Sequence, residues 1–140
     1  MRRVLLDTGP LVAFLVRGEA DHDWAREQFD RHRPPFLTCE AVLSEACFLV
    51  SHSPRGRDKV LELVQRGALQ LPFRLADEID AVAELVARYD KIPMSLADAC
   101  LVRMAELFKP GVVLTSDSDF RIYRTRAGKA LTVLMPGRRA

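Results

Sequence analysis

The sequence is poor in cysteine and histidine and contains no long hydrophobic run. Its three cysteines, Cys39, Cys47 and Cys100, are odd in number and form no C-x-x-C pair. This argues against a disulfide framework or a zinc knuckle and favours buried thiols in a reducing cytoplasm. The three histidines lie outside any nucleophile-elbow pattern, which argues against a Ser-His-Asp hydrolase.

No segment approaches the roughly 20 apolar residues that are needed to cross a bilayer. The apolar N-terminus follows two arginines as a signal peptide would, but Asp7 and Pro10 interrupt it and no small-residue cleavage site follows. We therefore expect a soluble cytoplasmic protein that makes no use of a membrane.

Net charge is also low, at +2 for 140 residues, and does not by itself indicate a nucleic-acid partner. Its distribution is uneven, because residues 121–140 contain six basic residues and no acid. These are Arg121, Arg124, Arg126, Lys129, Arg138 and Arg139. The pattern predicts a basic C-terminal surface, which either serves solubility or contacts an anionic partner.

Short apolar runs alternate with helical patterns along the whole chain, whose length suits one domain at residues 1–140. Strands are predicted at 4–6, 36–38, 69–73, 112–115 and 131–134, and helices at about 10–17, 21–32, 39–52, 60–67, 76–89 and 95–108. Strands separated by helices imply right-handed crossovers. We therefore predict an α/β fold, a three-layer α/β/α sandwich around a central parallel sheet of about five strands.

Four acids stand out because their neighbours are apolar. Asp7 directly follows the first strand and Asp117 lies two residues beyond the fourth, where ligands bind in open parallel sheets. Glu45 and Asp98 lie on unusually apolar helices, and the neighbours of Glu45 at helical spacing predict that its face is buried. Grouped carboxylates repel one another unless a cation neutralises them, and an all-oxygen site selects Mg²⁺ or Mn²⁺.

Each acid also has a simpler interpretation. Asp98 follows Ser95 by three residues, the spacing of a capping box. Asp7 and Asp117 can cap turns, and Asp119 can begin a helical turn. Glu45 is harder to explain in this way, because a buried carboxylate needs a partner and no basic residue lies within one helical turn of it. The joint pattern of four acids favours a metal site over four separate caps.

The same residues resemble a known family. Asp7-Thr8 after the first strand, Glu45 within a helix, "ADAC" with Asp98 and "TSDSDF" with Asp117 are similar to the motifs of the PIN-domain nucleases. Among these, the chain most resembles the VapC toxins of bacterial and archaeal toxin–antitoxin pairs. The resemblance covers essentially the whole chain and implies that Asp7, Glu45, Asp98 and Asp117 are the metal-binding quartet. It implies that Thr8 and Thr115 support the quartet, and that Asp119 is an additional ligand that matches a second acid often present there.

The resemblance further implies a Mg²⁺- or Mn²⁺-dependent endoribonuclease that acts on RNA, is inhibited by a small antitoxin protein and forms a homodimer. The basic residues Arg121, Arg124 and Arg126 are then candidate RNA contacts. Two alternatives stay open. One is a non-catalytic module of the same fold that binds RNA or protein, and the other is a housekeeping RNA-processing nuclease.

Overall fold

The computed structural model describes residues 2–137. The predicted basic residues Arg138 and Arg139 therefore lie outside the described residues. The elements are β1 (Arg3–Leu6), α1 (Thr8–Leu15), α2 (His22–Arg31), β2 (Phe36–Leu37), α3 (Glu40–Leu49), α4 (Gly56–Gln65), β3 (Leu69–Gln70), α5 (Leu75–Arg88), α6 (Leu96–Leu107), β4 (Gly111–Leu114), a 3₁₀ helix (Ser118–Arg121) and β5 (Val133–Leu134). Among the described residues, no helix is long and apolar enough to cross a membrane.

The five strands form one parallel sheet in the order β3-β2-β1-β4-β5. The chain winds outward from β1 in one direction through β2 and β3, and later in the other direction through β4 and β5. The switch point of the topology therefore lies between β1 and β4, where residues 3–6 pair in register with residues 111–114. Ligands of open parallel sheets bind at the carboxyl ends of such strands.

Side chains of the central strands alternate between two hydrophobic cores. Leu5 of β1 packs with α5 and α6 on one face of the sheet, whereas Val4 and Leu6 pack with α1 and α4 on the other. In β4, Val113 joins the first core, and its neighbours in the strand join the second. A strand buried on both faces has no polar side, which explains its uninterrupted apolar sequence. The predicted α/β/α architecture is confirmed.

The hydroxyl of Thr38 donates to the backbone carbonyl oxygen of Leu6 (2.8 Å) and ties β2 to β1, and Cys39 is the N-cap of α3. One local expectation is wrong, because the face of α3 that carries Glu45 is not buried. Phe48 is 77% exposed, and the buried residues of this helix are Val42 and Ala46. The helix packs through one narrow stripe.

Candidate active site

Four carboxylates line one open cleft at the switch point. The cleft has a volume of about 450 Å³. Its walls are formed by Asp7, Thr8, Gly9, Glu45, Leu49, Asp98, Ser116, Asp117 and Ser118. Asp7 follows β1, Asp117 follows β4, and the other two acids come from α3 and α6. Four acids that are distant in sequence thus meet at one edge of the sheet, as predicted.

Asp7 is the most enclosed member of this group, with 6% of its surface exposed. One of its carboxylate oxygens accepts from the Thr8 backbone N–H (2.8 Å), and the other accepts from the Thr115 hydroxyl (2.6 Å). Burial raises the pKa of Asp7 to about 6, against the effect of these two hydrogen bonds, and the charges of Asp98 and Asp117 raise it further. The carboxylate is therefore held in place at an electrostatic cost.

Thr115 joins the ends of the two central strands. Its hydroxyl donates to Asp7 and accepts from the backbone N–H of Asp117 (2.9 Å). The side chain of Asp117 in turn accepts from the backbone N–H of Asp119 (2.9 Å), which starts the 3₁₀ helix. Asp119 itself is not among the residues that line the cleft.

Asp98 is buried at the start of α6. Its backbone N–H donates to the hydroxyl of Ser95, which is the N-cap of the helix (3.0 Å). Burial raises the pKa of Asp98, hydrogen bonds from Tyr123 and Ser95 lower it, and the charge of Asp117 raises it. The capping interpretation of Asp98 is therefore correct for its backbone, while its carboxylate faces the cleft.

Tyr123 is a site residue that the sequence did not reveal. Its hydroxyl donates to a carboxylate oxygen of Asp98 (2.9 Å), and the ring is fully buried against Tyr89 and Phe120. Burial and the negative charge of Asp98 raise the pKa of the phenol, so Tyr123 acts as a donor. A single tyrosine 25 residues from Asp98 carries no sequence pattern that would have linked the two.

Glu45 lies at the open side of the cleft. It is an exposed residue, and the expectation that its helical face is buried is wrong. Even so, partial burial and then the charge of Asp98 raise its pKa. Glu45 is thus electrostatically part of the group, although none of the hydrogen bonds found among the described residues holds its side chain.

The donor set fits a hard divalent cation such as Mg²⁺ or Mn²⁺. The Thr8 hydroxyl is buried at the cleft and has no hydrogen-bond partner within residues 2–137, so it is free to serve a ligand. In the same part of the chain, no three acidic, histidine or cysteine side chains converge tightly enough to enclose an ion by themselves. Water and substrate oxygens would complete the coordination, which is how Mg²⁺ is usually bound.

The raised pKa of Asp7 gives a prediction for the protein in chelator. The folded state binds this proton more tightly than the unfolded state, where the ordinary value is 3.8. The resulting stability is complete below pH 3.8 and is lost as the pH rises through about 6. Between pH 5 and 7.5 the wild type should lose about 1 kcal/mol more unfolding free energy than Asp7→Asn. Urea denaturation at both pH values measures this difference, and equal losses in the two proteins would contradict it.

Comparisons with known proteins agree with the geometry. The family model described as PIN domain matches residues 4–125. The chain is 28% identical over 135 residues to the ribonuclease VapC26 of Mycobacterium tuberculosis, which covers 94% of this chain and 99% of that protein. The crystal structure of VapC20 from the same organism, described as a sarcin-ricin loop cleaving toxin, has a similar fold. Its TM-score is 0.67 at 20% identity, over 83% of this chain and 91% of the other.

The family match extends from β1, which leads into Asp7, to the segment that carries Asp117 and Tyr123. It therefore includes each element that contributes a carboxylate to the cleft. With its parallel five-stranded sheet and its acids at the switch point, the chain belongs to the PIN-domain family.

Proposed function

We propose that the protein is a Mg²⁺- or Mn²⁺-dependent endoribonuclease that acts in the cytoplasm as the toxin of a VapBC-type toxin–antitoxin pair. The observation that carries this proposal is the convergence of Asp7, Glu45, Asp98 and Asp117 on one open cleft of a PIN-domain protein. The relative that is named a ribonuclease supports the choice of RNA as substrate. The cleft is open enough for a polymer to lie across it.

The four acids would hold the cation, and Asp119 stays a weaker candidate because it lies outside the cleft lining. A bound Mg²⁺ or Mn²⁺ polarises the scissile phosphate and lowers the pKa of an attacking water. The protein itself positions the acids: Thr115 fixes the carboxylate of Asp7 and the backbone of Asp117, while Tyr123 fixes the carboxylate of Asp98 and Ser95 its backbone. The unpartnered Thr8 hydroxyl can donate to a phosphate oxygen of the substrate.

The three predicted RNA contacts receive unequal support. Arg121 is exposed and is the last residue of the 3₁₀ helix, and no ion pair in the described part of the chain engages it. The Arg124 guanidinium donates to three backbone carbonyls of its own loop. Arg126 forms ion pairs with Glu84 and Glu106. We therefore keep Arg121 as the main candidate and assign the other two chiefly to holding the loop.

An antitoxin segment is the proposed inhibitor. A concave surface of about 520 Å³ between α1, α2 and α4 has Phe14 and Leu15 in its lining and is bordered by Arg17, Arg26 and Lys59. Phe48, on the helix that carries Glu45, is largely exposed. An amphipathic segment with acidic residues complements this surface, and an arginine or lysine within it can reach the carboxylates. Homodimer formation is proposed from the family resemblance.

Asp98→Asn tests the catalytic assignment. Asparagine keeps the shape of the side chain and its backbone N–H bond to Ser95, but it removes a charge that a cation needs. RNA cleavage should fall by more than about a hundredfold, since loss of residues that merely support a ligand typically costs 10–100-fold. Gel assays with Mg²⁺, Mn²⁺ or chelator measure it, and chelator should abolish wild-type cleavage. Normal cleavage by folded Asp98→Asn, or by the wild type in chelator, would refute the assignment.

The matched control is Asp77→Asn, which also removes an acid from the first turn of a helix. Asp77 is exposed and pairs with Arg74 outside the cleft lining. Its variant should retain full activity. RNA binding without cleavage by the wild type under all metal conditions would instead favour a non-catalytic module.

Tyr123→Phe tests the positioning of Asp98. Removing one hydroxyl frees the carboxylate without leaving a large cavity, so the affinity for Mn²⁺ should fall by about 10-fold, the usual effect of losing a group that orients a metal ligand. Calorimetric titration with Mn²⁺ measures this without relying on activity. Tyr89→Phe is the matched control, because the Tyr89 hydroxyl accepts from the Arg124 backbone N–H, away from the acids. Equal Mn²⁺ affinities in the two variants would contradict the role of Tyr123 in positioning Asp98.

Co-expression with the adjacent small reading frame tests the partner. A complex should co-purify with the protein and should cleave RNA far more slowly than the free protein, because its partner segment would cover the cleft. Equal cleavage by complex and free protein, or the lack of any neighbouring partner, would favour a housekeeping RNA-processing role.

A further inference from the structure

The edge of the sheet opposite the acidic cleft is strongly basic. Five cationic residues lie there, at the amino ends of the strands or in the turns that precede them. They are Arg2, Arg3, Arg33, Lys109 and Lys129, and we refer to this surface as the basic pole. The Arg3 backbone N–H donates to the Pro110 carbonyl oxygen (2.9 Å), which brings the chain start beside the turn that carries Lys109.

The basic pole is concave. Arg2 is shared by two adjoining depressions. One, of about 360 Å³, is also lined by Lys109, Lys129 and Thr132, and the other, of about 550 Å³, by Arg3 and Arg33. Within residues 2–137, neither depression has an aspartate or glutamate in its lining. A bound anion would therefore meet cations from several sides and no acidic side chain of this part of the chain.

These cations are not used to hold the fold together. Within residues 2–137, none of the five takes part in an ion pair, and all five are exposed. By contrast, Arg55, Arg74, Arg103 and Arg126 all pair with nearby acids. The Arg3 guanidinium lies 5.8 Å from the centre of the Phe108 ring, which fixes its position without neutralising its charge.

The local electrostatic field is also positive at the neighbouring histidine. Burial lowers the pKa of His32, and the charges of Arg2 and Arg31 lower it further. Unpaired cations that repel one another are destabilising, so an anionic partner relieves a cost that the free protein bears.

We propose that the basic pole is a second RNA-binding surface, which holds the phosphate backbone of the substrate at a distance from the cleft. This proposal rests on the ribonuclease function proposed above. Arg3 and Asp7 bracket β1, so the two surfaces are separated by about 13 Å along the strand, at about 3.3 Å per residue. An RNA loop with its flanking stem is long enough to contact both. Cleavage would take place at the acidic end while the basic end holds the flanking backbone.

RNA is favoured over a protein partner by the composition of the lining. Of the residue types that usually anchor protein interfaces, the described part of the chain contributes arginine to these linings, but no aromatic or methionine side chain. A phosphate backbone supplies regularly spaced negative charges, and arginine binds phosphate with two parallel hydrogen bonds.

The experiment measures the salt dependence of RNA binding. A fluorescein-labelled 24-nucleotide RNA hairpin is titrated with Asp98→Asn protein in chelator, from low to high salt, by fluorescence anisotropy. The test variant adds Arg2→Gln, Lys109→Gln and Lys129→Gln. The slope of log K against log salt is negative, and each lost contact to phosphate reduces its absolute value by about 0.7 to 0.9, so the absolute slope should fall by about 2.

The matched control removes the same charge elsewhere, through Arg57→Gln, Arg74→Gln and Lys91→Gln, which are exposed and lie outside both depressions. Its slope should stay within about 0.5 of the parent. A second test variant, Arg3→Gln with Arg33→Gln, probes the other depression and should reduce the absolute slope by more than about 1.

An unchanged slope in both test variants would overturn the proposal, as would an equal fall in the control. Unchanged RNA binding with loss of a co-purifying protein would assign the basic pole to that protein and also overturn it. RNA cleavage by protein with native Asp98 is measured in parallel. Its absence would contradict the ribonuclease function, whereas a slope that depends on the basic pole would still establish the RNA surface.

Discussion

Burial of carboxylates that also repel one another is the constraint that the surrounding structure has to oppose. Burial and neighbouring negative charge raise the pKa of Asp7, Glu45 and Asp98. Hydrogen bonds from Thr115 and Tyr123 act in the opposite direction and fix the orientation of two of these acids. Destabilised ionised carboxylates are typical of sites that bind a cation, because the ion offsets the repulsion only when it is bound.

The acids of the site also shape the local backbone. Asp7 accepts from the first backbone N–H of α1, and Asp117 accepts from Asp119 at the start of the 3₁₀ helix. Asp98 lies in the first turn of α6, directly after its Ser95 cap. Capping and ligand binding are therefore not competing interpretations here. A carboxylate that caps a helix has a fixed position, and its remaining oxygen lone pairs are available to a cation or to water.

The parallel sheet separates charges of opposite sign. Because all strands run in the same direction, residues that follow strands gather at one edge and residues that precede them gather at the other. Asp7 and Asp117 belong to the first group, and Arg3 and Lys109 to the second. The separation follows from chain direction together with a sequence that places cations before strands and acids after them, and it gives the molecule one end suited to a cation and one suited to an anion.

The sequence by itself determined the order of strands and helices, since strands buried on both faces are uninterrupted apolar runs and helices repeat their apolar residues every three to four positions. It also allowed the four acids of the cleft to be selected as candidate site residues, because a charge that follows a buried strand or lies within an apolar helix is visible locally. Only the tertiary structure decided that Glu45 is exposed, that Tyr123 holds Asp98, and that Arg126 pairs with Glu84 and Glu106. The last two features join residues 20 or more positions apart, and all three are set by how helices pack on the sheet, which local periodicity does not encode.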